Sequence, residues 1–167
     1  FEWVTRERIF ERVVEAPLWF QAVALVMGLA LAGASLTWVA GGATPSTSDE
    51  YIRNFHEADR RLPLRPFTGR MLAGIATLGS GGALGFEGPS LYLGAVVGTA
   101  IQSRWSRMFS RDDSKVLMVA GAAAGVAAIF KAPATGAVFA LEVPYRDDTA
   151  RRLLLPALVG SVSGYLT

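Results

Sequence analysis

The feature that most constrains the fold is the distribution of charge, because long stretches of this chain contain one charged residue or none. The first three stretches are each long enough to cross the roughly 30 Å hydrocarbon core of a bilayer. The stretches are residues 16–43, with 28 residues and no charge; 71–103, with 33 residues and only Glu87; 116–141, with only Lys131; and 153–167, with no charge. With 51% hydrophobic residues and a mean hydropathy of +0.35, the chain is predicted to be an all-α, multi-pass integral membrane protein, expected in the cell membrane.

The remaining composition excludes several classes of function. The formal net charge is +2 and the charges gather at the ends of the apolar stretches, so no basic face is available for nucleic acid. Cysteine is absent, which rules out disulfides and thiolate metal ligands, and no metal or cofactor site is predicted. No dinucleotide, phosphate-loop, zinc-protease or serine-hydrolase motif occurs, so we do not expect an enzyme. His56, the single histidine, is predicted to be an ordinary solvated side chain.

Two patterns divide the chain into regions. Residues 1–15 alternate charged and apolar side chains without the features of a secretory signal, which predicts an amphipathic interfacial helix. Residues 16–167 form the predicted membrane domain, with helices over residues 17–40, 46–56, 68–84, 88–104, 116–130, 134–142 and 151–167. Because several of these are too short to cross a bilayer alone, we expect tilted and broken helices, with the breaks buried or lining a cavity.

Glu87 is the most informative single residue, since it is the only charge in its apolar stretch. Burying an ionised carboxylate without partners costs many kcal/mol, so an ionisable residue at membrane depth is a functional candidate. Gly88 and Pro89 follow it and are typical of the first turn of a helix, where backbone N–H groups lack intrahelical partners. Those N–H groups could stabilise either the Glu87 carboxylate or a free anion in its place.

Three landmarks in the sequence resemble the CLC family of chloride channels and proton-coupled chloride antiporters. Residues 85–89 (GFEGP) match the family's GxEGP signature around its gating glutamate. Residues 120–142 resemble its alanine-rich helix, followed by an aromatic residue, a proline and a glycine-led apolar run that ends in glutamate. The family's GSGIP loop corresponds to Gly41, Gly42, Ala43, Thr44 and Pro45. The resemblance extends from about residue 17 to residue 167.

The resemblance implies a fold, a ligand and an assembly. The chain would be the first half of an inverted-repeat membrane fold, with the second repeat and its anion-coordinating residues absent. Glu87 would be the gate, and the backbone N–H groups of Gly85, Phe86 and Gly88 would bind the anion together with the loop at residues 41–45. Chloride would be the transported ligand, without a cofactor, and the protein would be a homodimer in the lipid bilayer.

Two departures from the family pattern bear on mechanism. Gly42 replaces the serine that donates a hydroxyl to the anion, which leaves the choice of anion open. Proton-coupled members usually carry two successive acids where this chain has Glu142 and Val143. A passive channel is therefore the first prediction, since a proton would need another route. A proton-coupled chloride or fluoride antiporter is the alternative within the same class, and a non-transporting helical membrane scaffold is the alternative from another class.

The other distinctive residues have simpler interpretations. Lys131 is predicted to extend its amine toward the membrane surface. Trp19 and Tyr92 are predicted to be interfacial or packing aromatics. Three glycine pairs spaced four residues apart are predicted to allow close helix packing. These pairs are Gly94 and Gly98, Gly121 and Gly125, and Gly160 and Gly164.

Overall fold

The structure, a computed structural model, describes residues 16–57, 62–110, 113–144 and 151–167, and every regular element in these ranges is a helix. In chain order the helices are α1 (Leu18–Ala34), α2 (Thr47–His56), α3 (Leu64–Gly79), α4 (Glu87–Arg104), α5 (Asp113–Phe130), α6 (Pro133–Glu142) and α7 (Arg151–Leu166), and α1 continues as a π-helical turn over Ser35–Val39. The prediction of an all-α chain with broken helices is confirmed for this part. The interfacial helix predicted over residues 1–15 lies outside the described residues.

The first two helices begin and end close to where the sequence predicted. Pro17 precedes α1, and Gly41 follows its π-helical turn with a φ of 69°, a left-handed conformation that favours glycine. Ser46 caps α2, and its side-chain oxygen accepts a hydrogen bond from the Asp49 backbone N–H at 3.3 Å. Local signals therefore fix the bounds of α1 and α2.

The bounds predicted for α3, residues 68–84, were wrong. The helix begins at Leu64 because Pro66 falls in the first turn, where its missing N–H costs nothing. It ends at Gly79 because the next residues form a Schellman cap, with Gly81 at φ 86°. The Gly82 N–H donates to the Thr77 carbonyl at 2.8 Å and the Gly81 N–H to Leu78 at 3.1 Å. Residues 80–86 therefore form an irregular segment that leads into α4.

Helix α5 begins three residues earlier than predicted because of a reciprocal cap. The Ser110 hydroxyl accepts from the Asp113 N–H at 3.3 Å, while the Asp113 carboxylate accepts from the Ser110 N–H at 2.7 Å. The helix ends at Phe130, where Lys131 adopts a left-handed φ of 52°. Pro133 then occupies the first position of α6, so the predicted break between the two helices is confirmed.

The predicted role of the paired glycines in packing is confirmed. A Cβ atom on Gly94 would overlap the carbonyl oxygen of Gly121, and one on Gly98 would overlap that of Leu117, so α4 and α5 meet backbone to backbone. Helix α7 meets α5 in the same way, since Gly160 lies against the Ala120 carbonyl. The three helices therefore form a close-packed apolar layer.

The exposed surface is strongly apolar. In the described residues, two helical segments are long and apolar enough to cross a membrane, Leu18–Val39 and Asp113–Phe130. Trp19 is 68% exposed on α1, whereas Tyr92 is fully buried in the core, which confirms Tyr92 as a packing aromatic. An apolar outer surface around a glycine-packed interior is the pattern expected of helices that pack within lipid.

Candidate functional site

The N-terminal ends of α2 and α4 meet. A Cβ atom built on Gly88, in the first turn of α4, would lie 2.6 Å from the Thr47 hydroxyl and 3.3 Å from the Ser48 hydroxyl, both in the first turn of α2. Only glycine permits this approach without moving a neighbouring side chain. Each helix N-terminus carries a partial positive charge and unpaired N–H groups, which favour an anion or a carboxylate. The first turns of the two helices accordingly contain the acidic residues Asp49, Glu50 and Glu87.

The first turn of α4 has a defined set of backbone donors. The Ser90 N–H donates to the Phe86 carbonyl at 3.0 Å and starts the helical ladder. Pro89 has no N–H, which leaves those of Glu87 and Gly88 as the helical donors of this turn. Gly85 and Phe86 precede the helix, and Phe86 is its N-cap residue. The predicted donors therefore lie together at one helix end, with Gly88 the one nearest α2.

Glu87 is an exposed side chain at this helix end. Its carboxylate turns back along the chain, and a Cβ atom on Gly85 would overlap its Oε2 oxygen. Glycine at position 85 therefore gives the carboxylate room to lie over the turn that precedes α4. The carboxylate thus lies beside the turn that contains Gly85, at the same helix end as the predicted backbone donors.

The loop at residues 41–45 leads directly into α2. Gly41 and Gly42 have φ values of 69° and 80°, in the left-handed region. The Gly42 N–H donates to the Leu36 carbonyl at 2.9 Å, closing the end of α1. Because that donor is engaged, it does not replace the missing serine hydroxyl at this position. The loop's candidate backbone donors are those of Ala43 and Thr44, since Pro45 has no N–H.

A buried ion pair lies behind the loop and was missed by the sequence reasoning. The Arg70 guanidinium, on α3, lies 3.2 Å from the Glu50 carboxylate of α2, with side chains 4% and 7% exposed. Arg70 also donates to the Tyr92 hydroxyl at 3.0 Å and to the Thr44 carbonyl at 2.9 Å. Asn54 donates to the other Glu50 oxygen at 3.1 Å. The available signal was an arginine next to the long apolar stretch that begins at residue 71, because a charged side chain in such surroundings is buried only with a partner.

Helix α2 connects the Glu87 region with the region around Glu142 and Val143. The Tyr51 hydroxyl donates to the Ala140 carbonyl of α6 at 2.7 Å. At the other end of α2, His56 is exposed to solvent, as predicted, and its Nε2 lies 2.7 Å from the Pro144 carbonyl in the segment after α6. Glu142 is exposed and Val143 partly buried against the core. Ten helical residues separate the two regions by about 15 Å.

Comparison with known proteins places this geometry in a family. The family model described as voltage gated chloride channel matches residues 27–167. Chloride channel protein CLC-d of Arabidopsis thaliana is 39% identical over 48% of this chain and 12% of its own length. The H(+)/Cl(-) exchange transporter ClcA of Vibrio cholerae is 41% identical over 50% of the chain and 16% of its own. The putative chloride channel protein ClcB-like of Ralstonia nicotianae is 28% identical over 88% of this chain and 34% of its own length.

The fold and the converging helix ends define an all-helical protein with a candidate anion site. The family match extends over most of the chain, and the chain belongs to the voltage gated chloride channel (CLC) family. It spans about a third or less of the length of these curated relatives. The predicted family membership is confirmed.

Proposed function

We propose that the complete protein carries chloride or a similar monovalent anion across a membrane as a passive channel, with Glu87 as its gate. The observation that supports this most strongly is the contact between the N-terminal ends of α2 and α4, where Gly88 meets Thr47. Partial charges suit a conduction site, because an ion must bind well enough to enter and weakly enough to leave.

In this proposal Glu87 and the anion compete for the same donors. The ionised carboxylate lies over the turn at residues 85–88 and blocks the path, whereas a protonated or displaced carboxylate leaves the N–H groups of Phe86 and Gly88 to the anion. Gly85 provides the space for the blocking position. Flux should therefore rise as the pH falls, because protonation removes the charge that competes with the anion.

The test is chloride efflux from liposomes that contain the complete protein, measured as a function of pH. Glu87→Gln should keep flux high and abolish its pH dependence, because the amide carries no charge at any pH. Glu57→Gln is the matched control at the far end of α2, and it should retain the wild-type profile. An unchanged pH dependence in Glu87→Gln would reject the gating role. No anion flux in the wild type would favour a scaffold.

A proton-coupled antiporter is the second candidate, because the H(+)/Cl(-) exchange transporter ClcA of Vibrio cholerae is 41% identical over half of this chain. The side chain of Val143 does not titrate, and it lies at the end of α6 about 15 Å along α2 from the Glu87 region. A passive channel should leave the internal pH unchanged when a chloride gradient is imposed. Proton movement driven by that gradient would replace the channel proposal with the antiporter.

A further inference from the structure

We infer that Arg70 is a positioning residue that holds the loop at residues 41–45 and the first turns of α2 and α4 in one arrangement. The inference rests on the proposed function and adds the element that sets anion selectivity. The guanidinium contacts the loop at Thr44, α2 at Glu50 and α4 at Tyr92. Along the chain, Thr44 and Glu50 are each three residues from Thr47, and Tyr92 is four residues from Gly88.

The hydrogen bonds of Arg70 go to protein groups on three separate elements. Nε donates to the loop carbonyl at 2.9 Å, Nη1 to the tyrosine hydroxyl at 3.0 Å and Nη2 to the carboxylate at 3.2 Å, so each nitrogen holds a protein acceptor and three of the five N–H donors are engaged. Glu50 balances its charge at the same place. In this inference the anion binds to backbone N–H donors that Arg70 holds in place, and Arg70 acts on the anion through them.

The bond to the Thr44 carbonyl has a direct consequence for the loop. Because the peptide group is planar, a carbonyl held toward Arg70 fixes the plane of the peptide bond between Thr44 and Pro45. The residues after Thr44 are Pro45, which has no donor, and Ser46, which caps α2. Arg70 thus fixes the orientation of the peptide that joins the loop to the first turn of α2.

Helix α3 is itself anchored to the start of the loop, which makes it a rigid base for Arg70. Arg65 donates to the carbonyls of Val39 and Trp38 at 3.0 and 3.3 Å, at the end of α1. One turn later, the Gly69 carbonyl accepts from the Ser35 hydroxyl at 3.0 Å. Two successive turns of α3 therefore hold the end of α1, and Arg70 holds the other end of the connecting loop.

The arrangement requires arginine and not merely a positive charge. The planar guanidinium presents donors in fixed directions, and here they reach acceptors on three separate elements. A lysine has one ammonium group on a flexible stem and cannot reproduce this fork. Arg70→Lys keeps the positive charge but loses the directed hydrogen bonds. If Arg70 acts only through its charge, the variant should behave like the wild type, whereas a positioning role should be lost.

The experiment measures the chloride-to-nitrate permeability ratio of the complete protein in liposomes, which does not depend on how much protein inserts. Arg70→Lys should change the ratio by about fivefold, the equivalent of one lost hydrogen bond. Tyr92→Phe removes one acceptor and keeps the ring under the guanidinium, and it should shift the ratio in the same direction by a smaller factor. Arg104→Lys, at the end of α4, is the matched control and should keep the wild-type ratio.

The outcomes separate this inference from the proposed function. A wild-type ratio in Arg70→Lys would overturn the positioning role, because charge alone would then be sufficient. Should Arg70→Lys fail to fold, Tyr92→Phe decides, and a wild-type ratio there overturns the inference. A wild-type protein that carries no anion would instead reject the proposed function before either variant is measured.

Discussion

The two parts of α4 show how one helix combines a fixed region with an adjustable one. In its middle, Gly94 faces the backbone carbonyl of Gly121, a contact that no side-chain rotation can relieve. In its first turn, Gly88 faces the hydroxyl of Thr47, which can rotate. The middle is buried and apolar, whereas Glu87 at the end is exposed. The packed middle therefore holds the helix, and the end presents donors that a ligand or a carboxylate can use.

The largest expected effect lies in the fixed region. Gly94→Ala places a methyl group against a backbone carbonyl and should destabilise the protein by about 1–3 kcal/mol or more. The measurement is thermal unfolding of the complete protein in detergent. Gly33→Ala on α1 is the matched control, because nothing lies within 4 Å of its Cβ position, and it should unfold at or slightly above the wild-type temperature, since alanine favours a helix more than glycine does. Equal unfolding temperatures for the two variants would show that the contact between α4 and α5 is looser than described.

Gly88→Ala tests the adjustable end and should act on function more than on stability. The added methyl group displaces the Thr47 hydroxyl, which is 2.6 Å from its position, and moves the two helix ends apart. Chloride affinity, measured by calorimetry on the complete protein, should fall by about fivefold. Thermal unfolding should change less than in Gly94→Ala. A larger loss of stability than in Gly94→Ala would mean that the first turn of α4, and not its middle, is the rigidly packed part of the helix.

Gly85→Ala should raise chloride flux. Its methyl group would overlap Oε2 of Glu87, and the flexible end of that side chain must move away. A carboxylate excluded from the blocking position should raise chloride flux near neutral pH by about two- to threefold. Gly79→Ala is the control, since its Cβ position is open. A lower flux in Gly85→Ala than in the control would place the blocking position elsewhere.

The smallest expected effect is at the end of α1. Arg65→Ala removes two hydrogen bonds to the carbonyls of Val39 and Trp38 from an exposed side chain. The stability should fall by less than about 1 kcal/mol, because water replaces an exposed donor. Thermal unfolding checks this, with Arg107→Ala in the turn after α4 as control. A loss as large as that of Gly94→Ala would mean that the contact between α3 and the end of α1 holds the fold as strongly as the packed middle of α4 does.

Local signals in the sequence predicted the part of the fold that short-range chemistry determines. Ser46 marked the start of α2, and the glycine spacing marked the faces of α4, α5 and α7 that pack together. The start of α3 was missed because the proline connector was taken as a helix breaker, although Pro66 is tolerated in a first turn. Glu87 and the loop at residues 41–45 were identified as site candidates, and their roles remain predictions.

The pairing of Arg70 with Glu50 could not be predicted in the same way. The two residues are 20 positions apart on different helices. The sequence around each residue does not indicate that the other is its partner. The contact between Gly88 and Thr47 also depends on how α2 and α4 cross. Such contacts follow from tertiary packing, which sequence periodicity alone does not specify.

The most direct test of the account is the position of a bound anion in a crystal structure of the complete Glu87→Gln protein grown in bromide. Bromide is located by its anomalous scattering. The account predicts a bromide within about 3.5 Å of the Gly88 backbone nitrogen, between the first turns of α2 and α4. Bromide bound elsewhere along the protein, with none at this point, would contradict the central claim that the two helix ends form the anion site.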